Sequence, residues 1–114
     1  MKFSESLKKT KDFQLVYREG TSKANRYLVM LVRSNGSEKN RVGISVSKKV
    51  GNSVVRHHLT RLIREAYRLN EDRFSKGLDV VFIARTGAKD CTYFEIERAI
   101  CHLGGLHHIL KDKE

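Results

Sequence analysis

The stretch LDVVFIAR, residues 78–85, limits what this chain can fold into more than any other part of the sequence. Its apolar run is nearly unbroken, the pattern of a central strand buried on both faces, so the strand needs cover above and below. YLVMLVR, residues 27–33, is a second dense apolar strand. After the turn-rich SNGSEKN, in which Asn35-Gly36 is the tightest turn signal, RVGISVS alternates strictly. Val42, Ile44 and Val46 point one way and Gly43, Ser45 and Ser47 the other, giving that strand an apolar face and a small, hydroxylated one.

The cover comes from three helical patterns. TKDFQLVYREG offers Thr10 as a candidate N-cap, Phe13, Val16 and Tyr17 at helical spacing, and Gly20 as a stop. TYFEIERAICHL opens with Thr92 and Glu95 in capping-box spacing and is predicted to bury Ile96, Ile100 and Leu103. Gly104-Gly105 is predicted to end or kink that helix, leaving GGLHHILKDKE as a last turn or a loose tail. The order helix, strand, strand, helix, strand, helix describes an α/β or α+β sandwich of helices on one sheet. A chain of 114 residues without proline, repeats or low-complexity segments makes one domain, residues 1–114.

The third helical pattern, GNSVVRHHLTRLIREAYR, carries the charge. On a helical wheel Val55, Leu59, Leu62, Ala66 and Leu69 fall in one stripe, while His57, Arg61, Arg64 and Arg68 fall roughly opposite. An unpaired guanidinium cannot be buried without partners, so this second stripe faces either water or a polyanion. Arginine suits phosphate because its planar fork donates two parallel hydrogen bonds. Glu65 sits off the stripe, and Lys48 and Lys49 extend it at the helix entry, where free backbone N–H groups also favour anions. With a formal charge of +10 and a pI near 9.9, the chain attracts polyanions, and a nucleic acid leads over a plain solvated face. A membrane surface fits less well, because the best amphipathic face is committed to the core. The N-terminal MKFSESLKKTKDF lacks the apolar core of a secretion signal, so residence in the cytosol is expected, with Cys91 and Cys101 reduced.

SVSKKVGNSVVRHHLTRLIREAYR resembles the signature region of the protein subunit of bacterial ribonuclease P. The resemblance extends through LKKTKDFQLVYREGTSKANRYLV and DVVFIAR with its following helix, nearly the whole chain. It rests on FxxVYxxG, ANR, RVGISVSKKVGNxVxR and RLIRE occurring in this order. The family's basic motif reads close to Arg-Asn-Arg-x-x-Lys-Arg. Arg56 and Arg61 match its ends, whereas His57, His58 and Thr60 replace the usual asparagine, arginine and lysine. Histidine still donates to phosphate or ribose, so the departure predicts weaker or more pH-dependent RNA binding rather than its loss.

The resemblance implies a single sheet of about four strands with three helices, like a ribosomal-protein domain, and an unusual left-handed βαβ crossover. It also implies an accessory subunit with no catalytic residue of its own. The catalytic RNA, using bound Mg2+, removes the 5′ leader from precursor tRNA, while Lys48, Lys49, Arg56, His57, His58, Arg61, Arg64 and Arg68 dock on that RNA. The implied leader-binding cleft comprises Phe13, Tyr17, Tyr27, Val29, Leu31, Ser45 and Ser47. Aromatic rings there would stack on any base, and small residues would admit a backbone. Read without the resemblance, Phe13 and Tyr17 are ordinary core at helical spacing. An aromatic is common in this family near Leu31, so one contact is missing here.

Other constellations carry less. His57-His58, Cys101-His102 and His107-His108 lack dependable metal-ligand spacing, so no metal site is expected. A protein-only nuclease using His57 and His58 as acid and base requires convergence on one phosphate, and neighbouring helical side chains diverge. The competing binding reading is a general or ribosomal RNA-binding protein of similar fold, which composition alone does not separate from the first.

Overall fold

The computed structural model describes residues 1–111. The elements run β1 (Ser4–Ser6), α1 (Thr10–Glu19), β2 (Thr21–Ala24), β3 (Leu28–Ser34), β4 (Asn40–Ser45), α2 (Ser53–Asn70), β5 (Leu78–Ala84) and α3 (Tyr93–Leu106). Among the described residues they make a mixed α+β fold of three helices and one five-stranded sheet, one strand more than expected. The two edge strands, SES and TSKA, are short and mostly exposed, so no apolar alternation announces them. The strand order is β1-β4-β5-β3-β2. β1 and β5 flank β4 in parallel, while β3 runs antiparallel to both β5 and β2. LDVVFIAR is accordingly the middle strand, and because it separates β3 from β4, the Asn35-Gly36 turn joins strands that are not hairpin partners.

Both faces of the sheet are covered. On one, Leu28, Met30, Val42, Val80 and Phe82 meet Leu59, Ile63, Ala66 and Tyr67 of α2 and Ile96, Ile100 and Leu103 of α3. On the other, a smaller cluster of Leu7, Val16, Leu31 and Val81 lies under α1. The predicted capping box of α3 is present, with Thr92 Oγ1 accepting from Glu95 N and Glu95 Oε1 accepting from Thr92 N.

Several local expectations need correction. Thr10 is the first residue of α1; Lys9 takes the N-cap position, and no side chain caps that end. The buried stripe of α2 is Leu59, Ile63, Ala66 and Tyr67, with Val55 and Leu62 at its margin, whereas Leu69 is 54% exposed. The stripe is rotated because the aromatic ring of Tyr67, which also packs on Phe74 and Phe82, claims the core at the last turn. α3 runs through Gly104-Gly105 without ending there. Gly104 permits a close crossing: a β-carbon on it would lie 3.0 Å from Leu110 and 3.1 Å from Phe74. The tail then folds back, with Ile109 buried and accepting from Ser75 N, and Lys111 N donating to Arg73 O. Residues 112–114, the end of the predicted tail, lie outside the described residues.

The hand of the β4–α2–β5 crossover follows from one hydrogen bond. In a strand of L-residues running upward, a residue whose side chain faces the viewer directs its own N–H and C=O to the right. Val42 faces the α2 layer, and its carbonyl accepts from Leu7 N, so β1 lies to the right of β4 and β5 to the left. A connection that passes in front and moves left is left-handed, against the usual rule.

Candidate nucleic-acid interface

The first candidate surface is the outer face of α2. The helix is capped by Asn52, whose Oδ1 accepts from Val55 N, so its N-terminus is well formed directly after the turn holding Lys48 and Lys49. His57, His58, Arg61, Arg64 and Arg68 are all exposed, and Arg56 is half-buried on the flank. His57, Arg61, Arg64 and Arg68 therefore form the cationic stripe that the wheel predicts, opposite Leu59, Ile63 and Ala66. Its members differ, however. Arg68 is held by Glu65, Nε to Oε2 at 3.0 Å and Nη2 to Oε1 at 2.5 Å, and the same hydrogen bonds pull the Glu65 carboxyl below its usual range. No ion pair among the described residues involves Lys48, Lys49, Arg56, Arg61 or Arg64. Thr60 turns its hydroxyl inward to Arg56 O at 2.9 Å, so it offers no outward donor like the lysine usual there.

The second candidate surface is the α1 side of the sheet, and strand register orders it in rows. Gly43, Val81, Leu31 and Ser22 form one row across β4, β5, β3 and β2, and α1 covers its middle. A β-carbon on Gly43 would stand 2.5 Å from two ring carbons of Phe13, so the missing side chain is what lets that ring settle on the sheet. One row further, Ser45, Ile83, Val29 and Ala24 lie side by side and only partly covered. Phe13 packs on the same small cluster as Val29 and Ile83 of this row, and the Tyr17 ring, 44% exposed, stands next to it on α1 with ring centroids 6.3 Å apart. Small or branched side chains on the floor and two rings on the wall make a shallow trough.

In the opposite direction the rows end in charge. Arg41, Asp79 and Arg33 sit abreast, with Arg41 gripping Asp79 through Nε at 2.8 Å and Nη2 at 2.7 Å. Arg41 also reaches Asp12 at 3.5 Å, and Arg33 reaches Glu19 at 3.1 Å, so both ends of α1 are tied to the sheet through one buried carboxylate. This network was not anticipated from the sequence. The signal available was an aspartate inside an otherwise apolar strand, which has to be paired if it is buried.

Of the residues assigned to the leader cleft, Val29 and Ser45 lie in this row, Phe13 and Tyr17 stand on α1, and Ser47 is exposed two residues beyond the end of β4. Leu31 is 8% exposed beneath α1 and contributes to the floor of the core instead. Tyr27 departs from the group: the chain bends before β3, and the ring packs toward the α2 and α3 layer. No cluster of three or more His, Cys, Asp or Glu able to hold a metal occurs among the described residues, nor is any helix long and apolar enough to cross a membrane.

Fold and surfaces together define a small basic α+β domain with one cationic helix face and an aromatic-walled trough, a class suited to a polyanionic partner. Residues 1–106 match the model of the family Ribonuclease P, and the chain belongs to that family as a protein component. It is 56% identical over 111 residues to the ribonuclease P protein component of Lachnoclostridium phytofermentans, covering 97% of this chain and 96% of that one. It is 50% identical to the component from Clostridioides difficile, covering 88% and 89%. Among solved structures, the RNase P protein of Staphylococcus aureus superposes with a TM-score of 0.86 at 36% identity, covering 95% and 99%. That of Thermotoga maritima gives 0.80 at 34% identity, covering 87% and 94%.

Proposed function

We propose that the chain is the accessory subunit of an RNA-based endonuclease that removes the 5′ leader of precursor tRNA. In this reading the outer face of α2 with Lys48 and Lys49 docks on the catalytic RNA. The trough bordered by Phe13 and Tyr17 holds the single-stranded leader. In this reading the catalytic RNA carries the reaction and the Mg2+ ions that activate water. The protein contributes binding and positioning.

The observation that carries the proposal is the separation of two surfaces of different chemistry. A guanidinium row in which Arg56, Arg61 and Arg64 enter no ion pair among the described residues is matched to the regular phosphates of a folded RNA. A shallow floor with ring walls accepts successive bases without choosing among them.

The test is cleavage of precursor tRNA in magnesium at near-physiological salt, by the protein alone and by protein with catalytic RNA. The protein alone should be inert and should increase cleavage by the RNA. Cleavage by the protein alone would refute the assignment, and binding without stimulation would mark a general RNA-binding protein. Phe13→Ala or Tyr17→Ala should weaken leader-bearing substrate by about 1–3 kcal/mol while sparing the catalytic RNA. Equal losses for precursor and mature tRNA would argue against the trough.

A further inference from the structure

Beyond the open end of the trough lies a hollow of about 240 Å3 between the bend at residues 25–27 and α3, with Arg26, Tyr27, Glu95, Arg98 and His102 among its lining residues. It lies on the far side of the sheet's end from Phe13 and Tyr17. We infer that this hollow is a second nucleotide subsite, which takes the leader where it leaves the trough and thus adds length dependence to leader binding. The inference rests on the trough being the leader site.

The hollow is built rather than incidental. Asn25 fixes the bend: its Oδ1 accepts from Tyr27 N and Leu28 N, and its Nδ2 donates to Ala99 O at 3.1 Å. The same Nδ2 lies 3.2 Å from His102 Nδ1. With Nδ1 acting as acceptor, His102 keeps its proton on Nε2, as an outward donor on an exposed side chain. Arg85 donates to Asn25 O at 2.7 Å, which places its guanidinium beside the bend. The Arg26 guanidinium lies 5.6 Å from the centre of the Tyr27 ring. An aromatic ring with guanidinium groups around it matches a base and its phosphate. Three arginines, Arg26, Arg85 and Arg98, stand against Glu95 alone, whose carboxylate already accepts from Thr92 N.

Register connects the two sites. Arg85 N donates to Tyr27 O, continuing the ladder one step past the Val29–Ile83 pair, so Tyr27 and Arg85 flank the trough's open end. Two residues of strand place them roughly 7 Å beyond the last open row. A leader lying across Ser45, Ile83 and Val29 thus runs alongside the Arg85–Tyr27 pair and reaches it by turning one row along the strands.

The test uses holoenzyme reconstituted with the catalytic RNA, and precursor tRNAs whose leaders lengthen one nucleotide at a time. With the unaltered protein, affinity should rise in a second step after the trough is filled. Arg26→Ala with Arg98→Ala should abolish that step, roughly 5-fold or more in affinity, and leave the shortest leaders and mature tRNA unchanged. Arg98→Ala alone, on the exposed face of α3, provides a second variant that leaves Asn25 and its hydrogen bonds at the bend untouched. The subsite is overturned if either variant binds all leaders like the unaltered protein, or if the loss is the same at every length. Should Phe13→Ala and Tyr17→Ala also prove neutral, the trough itself fails; if they weaken binding while the arginine variants do not, only the subsite fails.

Discussion

Asp79→Ala tests whether the ionic clamp on α1 is an energetic unit. The Asp79 side chain is fully buried, while Arg41 and Arg33 retain 32% and 26% exposure. Removing a partner from a fully buried pair costs about 3–5 kcal/mol, but here the two stranded guanidinium groups keep access to water. We therefore expect a loss of about 2–4 kcal/mol, a large share of the ~5–15 kcal/mol available to a domain. Urea unfolding should show a lower midpoint at unchanged slope. A double-mutant cycle with Arg41→Ala should return a coupling of roughly 1–3 kcal/mol. Coupling below about 0.5 kcal/mol would show that the pair contributes no specific stability and refute the clamp. pH gives an independent check. Burial pushes the Asp79 carboxyl up, but the hydrogen bonds from Arg41 and Asn35 and the charges of Arg41 and Arg33 outweigh it and hold it below the ordinary value. The folded value thus lies under the unfolded ~3.9, so this contribution is complete above about pH 4 and is lost as pH falls through the folded value. Asp79→Asn should lower stability at neutral pH and flatten the loss below about pH 4.

Three further outcomes are expected. Gly43→Ala should cost roughly 1–3 kcal/mol, because the Phe13 ring occupies the β-carbon's place, and should weaken leader binding; unchanged unfolding and binding would show that the ring has room to move. Arg61→Ala and Arg64→Ala should each lower the salt slope of catalytic-RNA binding by about one unit, whereas Arg68→Ala should do less and Glu65→Gln should strengthen binding, since Glu65 occupies Arg68. Equal slopes for all three arginine variants would dismiss that ranking. His57→Ala with His58→Ala should weaken binding to the catalytic RNA, because both exposed side chains can donate to phosphate or ribose; unchanged affinity would show that neither makes such a contact.

What the sequence disclosed follows from how much pattern each element needs. LDVVFIAR could be recognised as the central strand because two covered faces demand continuous apolarity, and the α3 capping box because its partners are three residues apart. Edge strands of three or four polar residues carry no such pattern, since their hydrogen bonds come from the backbone and their side chains meet water. The α2 cationic stripe was legible from spacing alone, yet the Glu65–Arg68 pairing that subdivides it depends on rotamers that spacing does not fix. Tyr27 shows the limit of alternation: its position parity with Val29 and Leu31 puts it on the α1 side, but the bend pinned by Asn25 turns the ring the other way.

The left-handed crossover has a functional consequence that neither surface shows alone. β4 and β5 are parallel, so their carboxyl ends, Ser45 and Ala84, lie at the same end of the sheet, the end at which ligands of parallel strands gather. The open trough row crosses that end at Ser45 and Ile83. The chain leaving Ser45 passes Ser47, Lys48 and Lys49 and enters α2 at Ser53, so the helix proposed to dock on the catalytic RNA begins near the end of the trough. Because α2 then packs on the face opposite α1, the two surfaces proposed to bind RNA adjoin along one edge without sharing residues. On the proposed function, a folded RNA on α2 and a flexible leader on the α1 side could therefore be engaged together, and damage to either surface should leave binding at the other intact.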